Sequence, residues 1–195
     1  MIAPDDVTGV VLAGGQGRRM GGVDKGWVML SGRSMIEHVL DRLSPQVGSI
    51  IVNANQNIER YAALGHRVVT DTVSGFAGPL AGLASGLAAA TTRYVVTVPC
   101  DSPFVAHDLV ARLARGLLDS AAQLAVAKTH DQPHPVFAMV DTDVLPHLND
   151  FLASGGRKID AWYASLRVVE VAFDDCADAF RNINTRAELA ASSSS

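Results

Sequence analysis

The chain has 195 residues, of which 48% are hydrophobic and 18% charged, a balance typical of one folded globular domain. Sixteen Lys and Arg against twenty Asp and Glu give a net charge of -4, which provides no overall attraction to nucleic acid or anionic lipid. Two cysteines without a C-x-x-C pair exclude a disulfide framework and a thiolate zinc site. Residues 1–6 lack the apolar segment of a signal peptide, so we expect a cytoplasmic protein with no membrane span and no nucleic-acid partner.

Short β-branched runs alternate with amphipathic segments along the chain. The pattern predicts strands at residues 7–12, 49–52, 67–70, 94–98, 124–127, 136–140 and 167–173. It predicts helices from residue 34, at 58–64, 79–90, 106–118 and 144–152, and a last short helix from residue 185. We therefore predict one α/β domain over residues 1–191, with a mostly parallel sheet covered by helices on both faces. A disordered serine tail is expected at residues 192–195.

Polar groups follow four consecutive predicted strands. Gly14 and Gly15 follow the first, Asn53 and Asn55 follow the second, Asp71 follows the third, and Asp101 comes shortly after the fourth. Ligands of open α/β sheets bind beyond the carboxyl ends of the strands. The fold is therefore expected to gather these groups on one edge.

The segment after the first strand is rich in glycine and cations. Residues 12–25 read LAGGQGRRMGGVDK, with Arg18, Arg19 and Lys25 beside five glycines. The order of these residues matches neither the dinucleotide-binding fingerprint nor the Walker A loop. Backbone N–H groups with three cations favour a triphosphate or two phosphorylated ligands. The alternative is a flexible surface loop with solvated charges.

Two strand-end carboxylates and one amide suggest further contacts. Asp101 lies in a Pro-x-x-x-Pro turn and is well placed to hold Mg²⁺, although it could also be an Asx-turn residue. Asn53 has the donor and acceptor needed to read a base or ribose, and Asp71 could accept from guanine N–H groups or sugar hydroxyls. Either of these two could instead do no more than cap a turn.

The remaining polar candidates give weaker signals. His130 and His134 have a metal-ligand spacing, but Pro133 and Pro135 exclude the helix that would align them, so His134 is read as a wall of the site. Cys100 is read as a buried small side chain. The segment 182–184, Asn-Ile-Asn, could cap a helix or line a pocket.

Residues 12–26 closely resemble the opening signature of molybdenum cofactor guanylyltransferases, the MobA family. The resemblance continues in the same order from about residue 7 to 189. It includes PQV at 45–47, NAN at 53–55, GPLAG at 78–82, PCDSP at 99–103, HPVFA at 134–138, GRK at 156–158 and NINT at 182–185. General sugar nucleotidyltransferases share only the first loop.

The resemblance implies a Rossmann-like nucleotidyltransferase fold and an enzyme that uses Mg²⁺. It would transfer GMP from GTP to the phosphate of Mo-molybdopterin, giving molybdopterin guanine dinucleotide and pyrophosphate. The implied GTP contacts are Leu12, Ala13, Gly14, Gly15, Lys25, Asn53, Asp71 and Asp101, and Asp101 also holds the metal. The implied catalytic residues are Lys25, Asp101 and Arg19. The implied molybdopterin contacts are Gly22, Arg157, Lys158, Asn182 and Asn184.

Partners and rival functions follow from the same resemblance. We expect a monomer that works with a MobB-like GTP-binding protein and with proteins of molybdoenzyme maturation. One rival is a CTP-using transferase acting on molybdopterin or a sugar or polyol phosphate. The family's cytidine users resemble Leu-Ala-Ala-Gly at the loop, whereas Gly14 here would leave space for a purine. Another rival is a non-catalytic nucleotide-binding regulator, against which Lys25 and Asp101 argue.

Overall fold

The computed structural model describes residues 1–15, 24–72 and 78–183 of the chain. The strands in these ranges are β1 Val7–Leu12, β2 Met29–Leu30, β3 Arg33–Ser34, β4 Ser49–Asn53, β5 Arg67–Val69, β6 Tyr94–Pro99, β7 Leu124–Thr129, β8 Gln132–Asp141 and β9 Val168–Ala172. The helices are α1 Met35–Leu43, α2 Ile58–Ala62, α3 Pro79–Ala89, α4 Leu109–Ser120, α5 Leu145–Ala153 and α6 Ile159–Tyr163. The predicted serine tail and the last helix from residue 185 lie outside the described residues.

Seven strands form one sheet in the order β5-β4-β1-β6-β8-β7-β9. β8 is antiparallel to both of its neighbours, and the other described pairs in this sheet are parallel. β2 and β3 form a separate small hairpin. The predicted fold class, a mostly parallel α/β sheet, is therefore confirmed.

Helices cover both faces of the sheet because successive strand side chains point in opposite directions. Val11 of β1 packs in a core cluster that includes buried residues of α1 and α4. Val10, its neighbour in the strand, packs in a second cluster with α3, α5 and the buried Trp162 of α6. The two clusters are the hydrophobic contacts that fix the strand ends relative to the helices.

The local signals that were read correctly have clear physical causes. Ser34 and Glu37 form the predicted capping box at the start of α1, whose Ile36, Val39 and Leu43 are fully buried. Gly65 has a φ of 84° after α2, a conformation that glycine adopts without strain. These cues depend on neighbours in sequence, which is why they could be read before the fold was known.

The predicted starts of α4 and β8 were wrong, and two short elements were not predicted. α4 begins at Leu109 rather than 106, and the carbonyl of Ala106 accepts a 2.9 Å hydrogen bond from the Gln46 amide of another segment. β8 begins at Gln132 and not at 136, since prolines are tolerated where a strand extends past its neighbour's ladder. The five-residue helix α6 and the β2–β3 hairpin were not predicted because they are too short to show a period.

In the ranges 1–15, 24–72 and 78–183, no helix has the length and apolar character needed to cross a bilayer.

Helix α3 packs closely on β1 at Gly86, which leads to a testable prediction. A Cβ added at Gly86 would lie 2.7 and 2.9 Å from the two Cγ atoms of Val10. We expect Gly86→Ala to lower the free energy of unfolding by about 1–3 kcal/mol, because overpacking outweighs the helix propensity of alanine. Urea unfolding measures the change.

The double variant Gly86→Ala with Val10→Ala is the control for this overpacking. It should be more stable than the sum of the two single losses implies, since removing the Val10 methyls makes room for the new one. Additive losses would contradict the packing account.

Candidate active site

The carboxyl ends of β4, β1 and β6 are tied together directly. The Ala13 amide donates to the Asn53 carbonyl at 2.8 Å, and the Cys100 amide donates to the Leu12 carbonyl at 3.1 Å. The chain leaves β1 toward β4 on one side and later returns to β6 on the other, so the crevice between β1 and β6 is a topological switch point. Ligands of open α/β sheets bind at such a point. The four predicted strand ends are thus brought to one edge.

A part-buried ion pair lies at this switch point. The Lys25 Nζ donates to Asp101 Oδ2 at 2.7 Å, and the Asp101 side chain is only 9% exposed while that of Lys25 is 26% exposed. A buried carboxylate is costly unless a cation accompanies it. The two residues proposed from separate motifs, 76 positions apart, therefore form one charged unit.

Lys25 is presented by a short turn that Asp24 organises. Asp24 Oδ1 accepts from the Gly26 amide at 3.2 Å and from the Tyr61 hydroxyl at 2.5 Å, and its Oδ2 accepts from the Asn57 side chain at 2.9 Å. The buried Tyr61 is in α2, and burial together with the Asp24 carboxylate raises the pKa of its phenol, so it remains a donor. Sequence reasoning missed the role of Asp24. The only signal was its place directly before the lysine.

The segment after β6 is fastened to the chain before residue 184. The Ile183 amide donates to the Asp101 carbonyl at 3.0 Å, and the Ser102 hydroxyl hydrogen bonds with the Asn182 side chain. Ile183 is fully buried beside Leu30 and Met35. This arrangement brings the predicted Asn182 next to the metal-site candidate Asp101. Ser102 was not predicted as a site residue.

A second polar group, which we call the amide clamp, consists of Asn53, Asn55 and Asp71. Asn53 Nδ2 donates to Asp71 Oδ1 at 2.9 Å, and Asn55 Nδ2 donates to Asp71 Oδ2 at 2.8 Å. Asn53 is 2% exposed, whereas Asp71 is half-buried, so Asp71 is the more accessible of these two predicted GTP residues. Asn55 was part of the quoted NAN pattern but was given no role.

Comparison with known proteins identifies the family. The family model described as MobA-like NTP transferase domain matches residues 9–168. A molybdenum cofactor guanylyltransferase from Cupriavidus taiwanensis is 52% identical over 98% of both chains. The chain belongs to the molybdenum cofactor guanylyltransferase family.

Solved structures agree with this assignment. The molybdopterin-guanine dinucleotide biosynthesis protein A from Archaeoglobus fulgidus has a TM-score of 0.79 and 27% identity, covering 96% of this chain and 97% of its own. A 4-diphosphocytidyl-2C-methyl-D-erythritol synthase from Anaerococcus prevotii has a TM-score of 0.73 and 15% identity over 98% of both chains, which supports the fold alone. The expectation of a nucleotidyltransferase enzyme of the guanylyltransferase family is confirmed.

The other predicted site residues of this guanylyltransferase family member are placed as follows. Arg19, Gly22 and Asn184 lie outside the described residues. Arg157 caps the end of α5, donating to the carbonyls of Leu152 at 2.8 Å and Gly156 at 2.7 Å. Lys158 is exposed and precedes α6. Arg157 thus has a helix-capping contact that its motif did not reveal.

The glycines of the first loop differ in their surroundings. A Cβ on Gly14 would lie 2.8 Å from the Asn55 Nδ2 and 3.1 Å from the Asn53 Oδ1. A Cβ on Gly15 would meet nothing within 4 Å. A side chain at residue 14 would therefore crowd the amide clamp, a reason for glycine different from the predicted space for a purine, whereas Gly15 has open space beside it.

His130 and His134 lie at the β7–β8 turn, and Cys100 adjoins Asp101 in the chain. His130 lies in the turn between β7 and β8, and His134 Nε2 lies 2.6 Å from the Thr129 hydroxyl while its ring stacks on Phe180 with centroids 4.8 Å apart. Burial lowers the pKa of His134. Cys100 is buried, and burial followed by the Asp101 charge raises the pKa of its thiol.

The turn that presents Lys25 provides a prediction. Tyr61→Phe removes one donor to Asp24 and should lower the free energy of unfolding by about 1–3 kcal/mol, because a part-buried carboxylate oxygen loses the shorter of its two hydrogen bonds. GTP affinity should fall as well, since Lys25 is less firmly positioned. Urea unfolding and GTP titration measure the two effects.

Tyr163→Phe is the matched control, because its hydroxyl donates to the Pro135 carbonyl at 2.6 Å and belongs to the contact of α6 with β8. It should lose stability and keep GTP affinity. A Tyr61→Phe protein that loses stability with unchanged GTP affinity would separate the turn from nucleotide binding.

Proposed function

We propose that this chain transfers GMP from GTP to the phosphate of Mo-molybdopterin, producing molybdopterin guanine dinucleotide and pyrophosphate. The observation that carries the proposal is the Lys25–Asp101 pair at the switch point, with the amide clamp at the neighbouring strand ends. The first supplies the charges that a triphosphate and a metal need, and the second supplies acceptors for a base. The relatives named molybdenum cofactor guanylyltransferase support the choice of substrates.

The chemistry is a direct phosphoryl-group substitution. A phosphate oxygen of molybdopterin attacks the α-phosphorus of GTP, and the bond from that phosphorus to the bridging oxygen breaks as pyrophosphate leaves. Such a step depends on in-line positioning and charge neutralisation and needs no protein nucleophile. Cys100, next to Asp101 in the chain, is unsuited to that part because its buried thiol has a raised pKa.

The Lys25 ammonium has two successive partners in the proposed reaction, Asp101 and the nucleotide phosphates. In the structure its ammonium neutralises Asp101. In the nucleotide complex we propose that it turns to the phosphates, where its charge favours departure of pyrophosphate, together with the backbone of residues 12–15 and with Arg19. The turn at Asp24 keeps the lysine backbone fixed while the flexible side chain moves.

The residues present fit Mg²⁺ held jointly with a nucleotide. In the part of the chain that the structure describes, no cluster of three or more His, Cys, Asp or Glu forms a metal cage. Magnesium is commonly bound by one or two carboxylates plus substrate phosphates, and Asp101 Oδ2 already accommodates the Lys25 cation at 2.7 Å. Asp101 would therefore hold the ion. When bound, Mg²⁺ would neutralise phosphate charge and polarise the α-phosphate.

The molybdopterin side is assigned to the opposite part of the crevice. Asn182 stands beside Ser102 and Asp101, which supports contact with the second substrate near the reacting phosphate. We retain Gly22, Arg157, Lys158 and Asn184 as proposed molybdopterin contacts. For Arg157 this requires that the guanidinium exchange its carbonyl partners at the end of α5 for a phosphate.

The setting of the reaction follows from the same assignment. We propose a cytoplasmic monomer of one domain, residues 1–191, that receives GTP and Mo-molybdopterin. A MobB-like GTP-binding protein and molybdoenzyme-maturation proteins are the proposed partners.

A product assay tests the proposed function. The protein is incubated with Mo-molybdopterin, Mg²⁺ and one of GTP, ATP, CTP or UTP, and pyrophosphate and the dinucleotide product are measured. We expect product with GTP in clear excess over the other three. Preference for CTP would favour the rival transferase, and GTP binding without pyrophosphate release would favour a non-catalytic regulator.

Asp101→Asn separates binding from turnover. It keeps the shape of the side chain but removes the charge that attracts a hard cation, so turnover should fall roughly 100-fold or more. GTP affinity without Mg²⁺ should hold or rise, because Lys25 is released from its partner and a repelling carboxylate is gone. Single-turnover rates and GTP titrations with and without Mg²⁺ measure these effects.

Asp150→Asn, on the exposed side of α5, is the matched control and should leave both properties unchanged. A folded Asp101→Asn protein with wild-type turnover would contradict the role of Asp101.

A further inference from the structure

The Asn55 side chain makes three polar contacts, all with residues distant in the sequence. It accepts from the Asp71 amide at 2.9 Å and donates to the Asp71 carboxylate at 2.8 Å, so one amide holds both the backbone and the side chain of the same residue. Its Nδ2 also lies 3.4 Å from the Gly14 carbonyl. These partners are 16 and 41 positions away in the chain, which excludes a purely local cap.

The orientation of the Asn55 amide is settled by its partners. The Asp71 N–H can only donate and the Asp71 carboxylate only accepts, so the amide oxygen must face the first and the amide nitrogen the second. Asn53 occupies the other carboxylate oxygen at 2.9 Å. Each oxygen of Asp71 is thereby held by one amide, and the plane of the carboxylate is fixed.

A carboxylate held in this way keeps acceptor capacity for a ligand. It offers about four lone-pair sites, and the clamp uses one on each oxygen. Asp71 is half-buried and therefore partly accessible to a ligand. Two parallel acceptors match the N1–H and N2–H₂ donors of guanine, whereas adenine and cytosine do not present that adjacent donor pair.

We propose that Asn55 is a positioning residue for base selection, holding the Asp71 carboxylate in the plane that reads the N1–H and N2–H₂ edge of guanine. The inference rests on the proposed use of GTP and adds the residue that sets its selectivity. Asn55 touches Asp71 and the Gly14 backbone and acts through them. Its loss should therefore alter discrimination between nucleotides more than the chemical step.

Equilibrium binding of GTP and inosine triphosphate tests this proposal, because inosine triphosphate lacks only the 2-amino group. The wild type should prefer GTP by about tenfold or more, the effect of one charge-assisted hydrogen bond. Asn55→Ala should reduce that preference at least about fivefold, with a larger change in the KM for GTP than in kcat. Asn149→Ala, the same change on the exposed side of α5, should leave the preference intact.

A reversed pair distinguishes positioning from plain stability. Asn55→Asp alone places two carboxylates together and should lower both melting temperature and GTP preference. Adding Asp71→Asn restores complementary partners, so the melting temperature should recover while the preference for GTP does not, since the carboxylate no longer stands at residue 71. Recovery of both would overturn the proposal.

The outcomes also separate this inference from the proposed function. A wild-type protein that binds GTP no better than inosine triphosphate and ATP would remove the proposed function itself. A wild type that prefers GTP, with Asn55→Ala weakening both nucleotides equally, would overturn only the role of Asn55.

Discussion

The buried carboxylate of Asp101 is the constraint on which the candidate site depends. Its side chain is 9% exposed, and a carboxylate with so little solvent contact is destabilising unless a cation lies beside it. Lys25 supplies it at 2.7 Å in the structure, and a metal ion with a nucleotide is the partner that would release the lysine. In the proposed mechanism, this carboxylate couples the position of the lysine to the arrival of the substrate.

The surrounding polar contacts fix the backbone on both sides of the Lys25–Asp101 pair. Asp24 and Tyr61 fix the turn that carries Lys25, and the Ile183 amide and the carbonyl of Asp101 fix the segment after β6. The amide clamp does the same for Asp71 at the next strand ends. Preorganised groups stabilise a transition state because they need no reorganisation as charge develops, and fixed backbones favour such an arrangement. The sheet edge therefore fixes the backbone positions from which the Lys25 side chain would change partner in the proposed mechanism.

Much of the fold could be predicted because its signals are local. The capping box at Ser34, the Gly65 turn and the buried β6 strand each follow from residues close in sequence. The predicted start of α4 was wrong because Gln46, about sixty positions away, binds the Ala106 carbonyl. Spacing along the chain carries no information about such a partner.

Some residues of the candidate site could likewise be predicted from the sequence, and others could not. Lys25, Asp71 and Asp101 could be named from strand ends and from family resemblance, and the structure brings the first and last together. Asp24 and Asn55 were missed as functional residues because their importance lies in hydrogen bonds to Tyr61 and Asp71, on other elements. A supporting residue shows no chemistry of its own in the sequence, so it is found only when its partner is seen.

A crystal structure with GTP and Mg²⁺ tests the central claim most directly. The quantity to measure is the distance from Lys25 Nζ to Asp101 Oδ2, which is 2.7 Å in the structure described above. The account predicts that this pair is separated, with the lysine on the triphosphate, the metal on Asp101 and the guanine edge against Asp71. An intact Lys25–Asp101 pair, with the nucleotide and metal bound elsewhere, would contradict it.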